Sequence, residues 1–164
     1  MDIRNKPSEG SLENPSSNPK RKPHPLWRWF WLTFLVLSLG YAWYSFYVPS
    51  NEVVWADDTN SARQLASESN KPVMMFFTAT WCVPCRIMKR EVFADSEVAE
   101  AINAQVVPVM IYADSPGADE LFRQYNIGGT PITIFTDNSG QVLDYAVGGI
   151  GKPEFMDMLG KLVN

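Results

Sequence analysis

Two cysteines, Cys82 and Cys85, are the only ones in this chain of 164 residues, and two residues separate them in the stretch TATWCVPCRIMK. Thiols this close can form a disulfide and release it again, which is a two-electron exchange with another thiol or disulfide. A permanent crosslink or two inert thiols are the alternatives, but so small a loop gains little stability from a crosslink. The spacing therefore predicts a redox-active pair.

The sequence around the pair predicts how the two thiols divide the reaction. The apolar run VMMFF (73–77) indicates a buried strand, and a helix should begin at about Cys82, with Pro84 in its first turn. Unpaired N–H groups and the partial positive charge of a helix N-terminus favour the thiolate of Cys82 and lower its pKa. Arg86, one turn on, adds positive charge. We predict that Cys82 attacks a disulfide and that Cys85, shielded one turn into the helix, resolves the mixed disulfide.

Other uses of two cysteines fail on the sequence. A structural zinc site needs four ligands, and the one histidine, His24, lies far from the pair. Covalent haem attachment needs a histidine after the second cysteine, where this chain has Arg86.

The part from 49 to 164 carries eight Lys/Arg against fifteen Asp/Glu, so it lacks the basic surface that nucleic acid requires. The sequence predicts no metal, no cofactor and no nucleic-acid partner.

Strand and helix signals alternate along 49–164 in the order β, α, β, α, β, α, β, β, α. The predicted strands are 53–55, 73–77, 106–112, 132–135 and 142–147. The predicted helices are 57–70, one from about Cys82 with a second piece from the N-cap Asp95-Ser96 to Asn103, 118–125, and a last one with Pro153 in its first turn. Strands that alternate with helices and end in a hairpin indicate an α/β fold, with a mixed sheet and helices on both faces.

The N-terminal part has a different composition. Residues 1–25 are rich in Pro, Ser, Asn and Lys, and we predict a disordered tail. Twenty residues from Trp29 to Val48 carry no charge, about the length that crosses a bilayer, with aromatic side chains at both ends. We predict a transmembrane anchor over 26–48 and a folded domain over 49–164. A cleavable signal peptide and a buried core helix are the alternatives; the long polar stretch before the apolar run argues against the first.

Basic residues flank only the N-terminal side of the apolar run. Four of them lie just before it or at its start: Lys20, Arg21, Lys22 and Arg28. The next basic residue along the chain is Arg63. The positive-inside bias therefore predicts that the tail lies in the cytoplasm and that 49–164 lies on the other side of the membrane, as in a periplasm.

The motif WCVPC, with VMMFF before it and GGTP (128–131) after it, resembles the thioredoxin family over about residues 53–164. It looks most like the thioredoxin-like domains of DsbD-type membrane reductases, in which a short acidic and hydrophobic segment, here EVFADSEVAEAIN, follows the active-site helix. The resemblance implies the thioredoxin fold. It also implies that Pro131 is cis and faces the cysteine pair, so that the backbone of Thr130 pairs with an extended substrate segment. Without it, Pro131 is interpreted as a proline at the start of a strand.

Further site residues follow from the same resemblance. Trp81 and Val83 would form an apolar surface for a partner protein beside Pro84. Gly129, next to Gly128, would let the backbone of the partner approach closely. Core packing of Trp81 and an ordinary turn at the glycines are the alternatives.

One position departs from the family. Many members carry a buried acid six residues before the first cysteine, where it helps to move the proton of the second thiol, and this chain has Phe76 there. Thr80 likewise has a hydroxyl where relatives often have an acid. The proton of Cys85 then needs another route, through water or through a residue that the sequence does not identify.

Three functions are compatible with these residues. The first is a membrane-tethered thiol–disulfide oxidoreductase that reduces disulfides of extracytoplasmic client proteins and receives electrons from a membrane-associated donor. The second is a disulfide oxidase or isomerase of the same fold, although Val83-Pro84 resembles the dipeptide of reducing members more than the Pro-His of strong oxidants. The third is a partner-binding module without turnover, against which two intact cysteines argue. The sequence favours the first.

Overall fold

The structure is a computed structural model that describes residues 25–162. The tail predicted as disordered over 1–25 lies, apart from its last residue, outside the described residues. Two compact units make up the chain, and they meet in the sequence between Ser45 and Phe46.

All but the last residue of helix α1, Pro25–Phe46, belongs to the first unit; the helix is 22 residues long and buries none of them. By length and composition this helix could cross a membrane. A signal sequence near an N-terminus passes the same test. The anchor over 26–48 therefore stays a prediction.

The second unit contains four strands and five α-helices among the described residues, and all but the first predicted element are present. In chain order they are α2 (Thr59–Ser69), β1 (Val73–Thr78), α3 (Val83–Met88), a π-helical turn (Lys89–Phe93), α4 (Ser96–Gln105), β2 (Val107–Tyr112), α5 (Ala118–Gln124), β3 (Ile132–Thr136), β4 (Val142–Val147) and α6 (Lys152–Leu162). The predicted alternation of strands and helices and the closing hairpin are confirmed.

The strands form one mixed sheet in the order β2-β1-β3-β4. β1 is parallel to β2 and antiparallel to β3, and β3 is antiparallel to β4. Gly140, in the turn between β3 and β4, has a φ of 87°, which glycine adopts without strain. These directions bring the end of β1, the start of β3 and the end of β4 to the same end of the sheet.

The segment 53–55, predicted as a strand, is not one. The side-chain amide of Asn103 in α4 binds its backbone instead. The Oδ1 atom of Asn103 accepts the N–H of Val54 at 2.9 Å, and its Nδ2 atom donates to the carbonyl of Glu52 at 2.9 Å. A side chain from a helix therefore satisfies backbone groups that a sheet ladder would have used.

The chain joins β2 only at the residue after this segment. Ala56 forms an isolated parallel bridge with Val109, and its N–H donates to the carbonyl of Pro108 at 2.8 Å. Extending the ladder toward Val54 would need an N–H from Pro108, which proline lacks. Pro108 thus ends the pairing, and the sheet has four strands rather than five.

Two apolar layers cover the sheet. Phe76 of β1 packs in the layer under α3, α4 and α6, whereas Met75 and Phe77 pack in the layer under α2 and α5. Successive residues of a strand point to opposite faces, so an uninterrupted apolar run fits a strand that is covered on both sides. The buried strand predicted at 73–77 is confirmed.

Candidate active site

Helix α3 begins directly after the loop that leaves β1. Cys82 is its N-cap, with extended backbone angles of −74° and 104°, and its Sγ atom accepts the N–H of Cys85 at 3.2 Å. Pro84 lies in the first turn, where the missing N–H costs no hydrogen bond. The predicted helix start at Cys82 and the predicted place of Pro84 are confirmed.

The two cysteines are joined by a disulfide with an S–S distance of 1.96 Å and a Cα–Cα distance of 5.3 Å. Both are buried, Cys85 completely. The residues before and after Cys82 are exposed and apolar: 72% of Trp81 and 52% of Val83 is accessible to solvent. The alternative that Trp81 is a core residue is therefore excluded. A buried disulfide rimmed by exposed apolar side chains suits contact with another protein.

The loop before β3 lies at the same end of the sheet as the cysteines, because β1 and β3 are antiparallel with Phe77 opposite Ile132. The bond between Thr130 and Pro131 is cis, as the resemblance implied. Gly129 is exposed, and a Cβ atom built on it would meet nothing within 4 Å. Backbone at this position is thus open to an approaching chain.

A groove of about 350 Å³ adjoins the cysteine helix. Pro84 and Ile87 of α3 line one side, and Gly149 and Ile150, from the loop between β4 and α6, line the other. A Cβ atom at Gly149 would lie 3.7 Å from the Cβ atom of Pro84, so this loop packs closely against the start of α3. The groove extends the apolar surface beside the cysteine pair.

An ion pair holds the loop that forms the far side of this groove. Lys152, which follows the loop, lies 2.9 Å from both carboxylate oxygens of Asp95 and 2.7 Å from Glu97. Asp95 is the N-cap of α4, as predicted, and it accepts the N–H groups of Glu97 and Val98. The hydrogen bond from Lys152 and the N–H of Val98 lower the pKa of Asp95, and the bonds to Glu97 and Asp95 raise the pKa of Lys152. Sequence reasoning missed Lys152 because 57 residues separate it from Asp95.

Phe76 fills the position where relatives carry a buried acid. It is fully buried, and its ring meets that of Phe93 edge to face at 4.9 Å. Lys89, one turn after Cys85, has its Nζ atom 6.0 Å from the Phe76 ring centroid and donates to the hydroxyl of Tyr112 at 3.1 Å. Sequence reasoning did not single out Lys89, although its spacing of four residues from Cys85 on a helix was an available signal.

The loop between β1 and α3 has polar contacts of its own. Arg86 donates from Nη1 to the carbonyl of Thr80 at 3.3 Å, and the Thr80 hydroxyl lies 3.5 Å from Oδ2 of Asp114. Arg86 thus closes the loop that delivers the first cysteine to the helix. Within residues 25–162, no group of three or more His, Cys, Asp and Glu side chains could hold a metal ion.

Comparisons with known proteins agree with this geometry. The sequence model of the family described as Thioredoxin-like domain matches residues 59–162. The thiol:disulfide interchange protein DsbD of Ralstonia nicotianae is 34% identical over 99 residues, which cover 59% of this chain and 16% of that protein. DsbD of Actinobacillus pleuropneumoniae is 30% identical over 102 residues, 60% of this chain and 18% of the relative. The chain therefore spans less than a fifth of the length of these curated relatives.

Solved structures share the fold. A thioredoxin from Thermus thermophilus superposes with a TM-score of 0.62 at 25% identity, over 68% of this chain and 88% of its own. A putative disulphide-isomerase from Bacteroides thetaiotaomicron gives 0.61 at 25% identity, over 71% and 97%. The oxidised C-terminal domain of Neisseria meningitidis DsbD gives 0.56 at 21% identity, over 66% and 99%, and shows the fold alone.

A four-stranded mixed sheet, helices on both faces and a Cys-Val-Pro-Cys pair at a helix start define a class, the thioredoxin-fold thiol–disulfide oxidoreductases. Within that class, this chain belongs to the thioredoxin-like domain family, and it is similar in sequence to the corresponding part of DsbD proteins.

Proposed function

We propose that this chain is a membrane-tethered thiol–disulfide oxidoreductase that reduces disulfides of client proteins outside the cytoplasm. One observation carries the proposal: the Sγ atom of Cys82 stands at the N-cap of α3 and accepts the N–H of Cys85 at 3.2 Å. In the reduced protein, the same N–H and the positive end of the helix would stabilise the thiolate of Cys82. Its pKa should then lie below that of a free cysteine.

The exchange takes place in two steps. The Cys82 thiolate attacks one sulfur of a client disulfide; the client S–S bond breaks, and the other client sulfur leaves as a thiolate that takes up a proton. Cys85 then loses its proton and attacks the sulfur of Cys82, which releases the second client thiol. Two electrons pass to the client, and the Cys82–Cys85 disulfide forms.

Two neighbouring surfaces are proposed to bind the client. Trp81, Val83 and Pro84 provide exposed apolar contacts around the first cysteine. The backbone of Thr130, between Gly129 and the cis Pro131, would pair with an extended segment of the client. Backbone pairing accepts many sequences, so these surfaces fit a range of disulfide-containing proteins.

The proposed tether is the apolar segment 26–48. Only Pro49–Glu52 separates it from Val53, the first buried residue of the folded unit, a reach of roughly 13 Å when fully extended. The active site would therefore work close to the membrane, which suits reloading by a membrane-associated electron donor. The basic residues before the segment favour a cytoplasmic N-terminus.

The direction of the reaction is tested by the reduction potential of the Cys82–Cys85 pair. The full chain in detergent is equilibrated with glutathione or dithiothreitol buffers of known ratio, and the thiol state is read by alkylation and mass. A value near the thioredoxin potential of about −270 mV is expected for a reductase. A value near about −120 mV, that of a strong oxidant, would overturn the proposed direction.

A disulfide isomerase is the second candidate, favoured by the structural similarity to the putative disulphide-isomerase. Net reduction needs both cysteines, whereas shuffling needs only the attacking one. Cys85→Ala should therefore lose reductase turnover and trap mixed disulfides with clients. Retained activity of this variant on a scrambled disulfide protein would favour the isomerase. A Cys82→Ser, Cys85→Ser protein that kept full cellular function would instead show a binding module.

The proposed topology has a separate test. A membrane-impermeant maleimide is added to intact cells after mild reduction. Labelling at Cys82 is expected if the domain faces outward, with a permeabilised sample as the control. The mass of the mature chain decides between an anchor and a cleaved signal peptide, since cleavage would remove the segment 26–48.

A further inference from the structure

Two buried hydroxyl groups lie in the apolar layer under α3. Thr78, the last residue of β1, is completely buried, and only 1% of Thr133 of β3 is accessible to solvent. Neither Oγ1 atom has a hydrogen-bond partner among the described residues. Buried polar groups are nearly always paired, so each such hydroxyl requires an explanation.

Both hydroxyls flank the position of the missing acid. Thr78 lies two residues after Phe76 on the same strand and therefore on the same face of the sheet. Thr133 is the antiparallel register partner of Phe76, so its side chain also points to that face. Phe76 belongs to the same core cluster as Cys85. The two hydroxyls thus adjoin Phe76, one along β1 and one across on β3, in the layer that contains the second cysteine.

The contacts of Lys89 place the helical turn of Cys85 over Phe76 and Tyr112, which are the register partners of Thr133 and Thr78. The N–H of Lys89 bonds to the carbonyl of Cys85, so the two side chains are one turn apart on one side of the helix. The ammonium of Lys89 lies 6.0 Å from the Phe76 ring centroid and donates to Tyr112, which is the register partner of Thr78. Cys85 is fully buried one turn earlier and so faces the same part of the sheet.

The chemistry of Cys85 creates the need for such groups. Its thiol must lose a proton before it attacks Cys82, and Phe76 has no atom that can accept one. A threonine hydroxyl accepts a proton on one lone pair while it donates its own to the next acceptor. It can therefore pass a proton without becoming charged itself.

We propose that the hydroxyls of Thr78 and Thr133 relay the proton of Cys85 during resolution, in place of the acid of relatives. The proposal rests on the proposed function, in which Cys85 resolves the mixed disulfide. The S–H bond of Cys85 breaks, and its proton passes through the hydroxyls and the water molecules that would pair with them to solvent. The bond from Cys85 to Cys82 forms, and the client sulfur leaves with the electron pair of the broken S–S bond.

Charged and titratable groups near this face stay unchanged in the test variants. They are Arg86, Lys89 and Arg90 on the cysteine helix and its π-helical turn, Tyr112 on β2, Asp114 after it, and Asp144 on β4, which is the register partner of Phe135. Strands β1 and β3 and the loop 148–151 contain no charged residue. A change in the pH profile can therefore be assigned to the loss of the hydroxyl groups.

The experiment uses the reduced full chain in detergent and DTNB, whose aromatic thiolate is coloured, in a stopped-flow instrument. Attack by Cys82 releases the first thiolate at a rate that rises with DTNB concentration. Attack by Cys85 releases the second thiolate at a rate that does not depend on DTNB concentration. A high DTNB concentration therefore separates the two phases in time. The variants are Thr78→Val, Thr133→Val and the pair, because valine keeps the shape and removes the hydroxyl.

The expected result is confined to the second phase. In the double variant, the second phase slows by about tenfold or more at neutral pH. Loss of a true general base would slow it further, because a hydroxyl only relays the proton. The pH profile of the second-phase rate moves to higher pH, while the rate of the first phase and the melting temperature do not fall. Thr78→Ser and Thr133→Ser restore the rate. Thr136→Val, a buried threonine on the other face of the sheet, leaves both phases unchanged.

Other results would overturn the proposal. Unchanged second phases in all valine variants would show that the hydroxyls carry no proton. Equal slowing of both phases, or slowing that serine does not restore, would show a merely structural role. If the double variant does not fold, the single variants decide by the same criteria. A wild-type protein that releases only one thiolate would show instead that Cys85 does not resolve, which is a failure of the proposed function.

Discussion

Helices α3 and α4 begin in the same way and serve different purposes. Cys82 caps α3 with a sulfur atom, and Asp95 caps α4 with a carboxylate, each accepting backbone N–H groups. Lys152 holds the carboxylate of Asp95 in place. In the proposed function, the sulfur of Cys82 instead changes between disulfide and thiolate. The same backbone geometry would therefore give a permanent cap where an ion pair fixes the acceptor, and a nucleophile where the acceptor can change its bonds.

The first turns of the two helices differ in charge. Glu97 lies in the first turn of α4, whereas the first turn of α3 contains no acidic residue. A carboxylate there would compete with the Cys82 thiolate for the N–H groups and the positive end of the helix. The absence of acid in the first turn of α3 thus favours reactivity at the cap.

Replacing the sulfur should have the largest effect. Cys82→Ser retains an oxygen acceptor, which is among the best N-caps, but removes the nucleophile. We expect reduction of a protein disulfide to fall to the uncatalysed rate while the far-ultraviolet circular dichroism stays that of the wild type. The matched Asp95→Ser variant should keep its turnover. Turnover by Cys82→Ser would show that the cap is not the nucleophile.

Giving α3 the acidic first turn of α4 should have a moderate effect. Val83→Glu places a carboxylate beside the thiolate at a half-exposed position, with Val83→Gln as the uncharged control. We expect a higher pKa for Cys82 and about two- to fivefold slower alkylation by iodoacetamide near neutral pH, which corresponds to roughly 0.3–1 kcal/mol. Equal rates for the two variants would show that the helix end does not control this thiol.

Removing the permanent cap should change stability without changing the chemistry. Asp95→Ala leaves the N–H groups of Glu97 and Val98 without their acceptor and Lys152 without one of its partners. We expect a lower melting temperature and an unchanged alkylation rate at Cys82. Asp95→Asn, which keeps an acceptor and loses the charge, should lie between this variant and the wild type. A melting temperature equal to that of the wild type would contradict this role.

The ion pair should have the smallest effect, and the effect should depend on pH. Because the folded protein lowers the pKa of Asp95, this stabilisation is present above the unfolded pKa of about 3.9 and is lost as the pH falls through the folded value. Because the folded protein raises the pKa of Lys152, its contribution is lost only as the pH rises beyond about 10.4. Lys152→Met should therefore melt lower than the wild type between these limits and converge with it in acid. If the difference in melting temperature between Lys152→Met and the wild type stayed constant as the pH fell, the ion pair would be excluded as its cause.

Sequence signals predicted the features that depend on neighbouring residues. The helix start at Cys82 could be predicted from Pro84 two residues later. The N-cap at Asp95 could be predicted from a polar residue placed just before an apolar helix face. The alternation of 73–77 between two core layers followed from an unbroken apolar run. These features arise from interactions within a few residues, which a sequence shows directly.

Features that join distant residues were not predictable in this way. The segment 53–55 has the composition of a strand, but Asn103, about 50 residues later, takes its backbone groups. Lys152 and Asp95 meet only in the fold. The cis bond before Pro131 came from the resemblance alone, because the isomer of an X–Pro bond depends on tertiary context. The unpaired hydroxyls of Thr78 and Thr133 emerged only once strand register was known.

The amide of Asn103 has a mechanical consequence. Tension along the N-terminal segment reaches the folded unit first at residues 52–54, where two bonds of 2.9 Å fasten the backbone to Asn103. The load therefore meets a side chain of α4 before it reaches the bridge between Ala56 and Val109, which leads into the sheet. A pull on the N-terminal segment is thus resisted first by a helix and only then by β2.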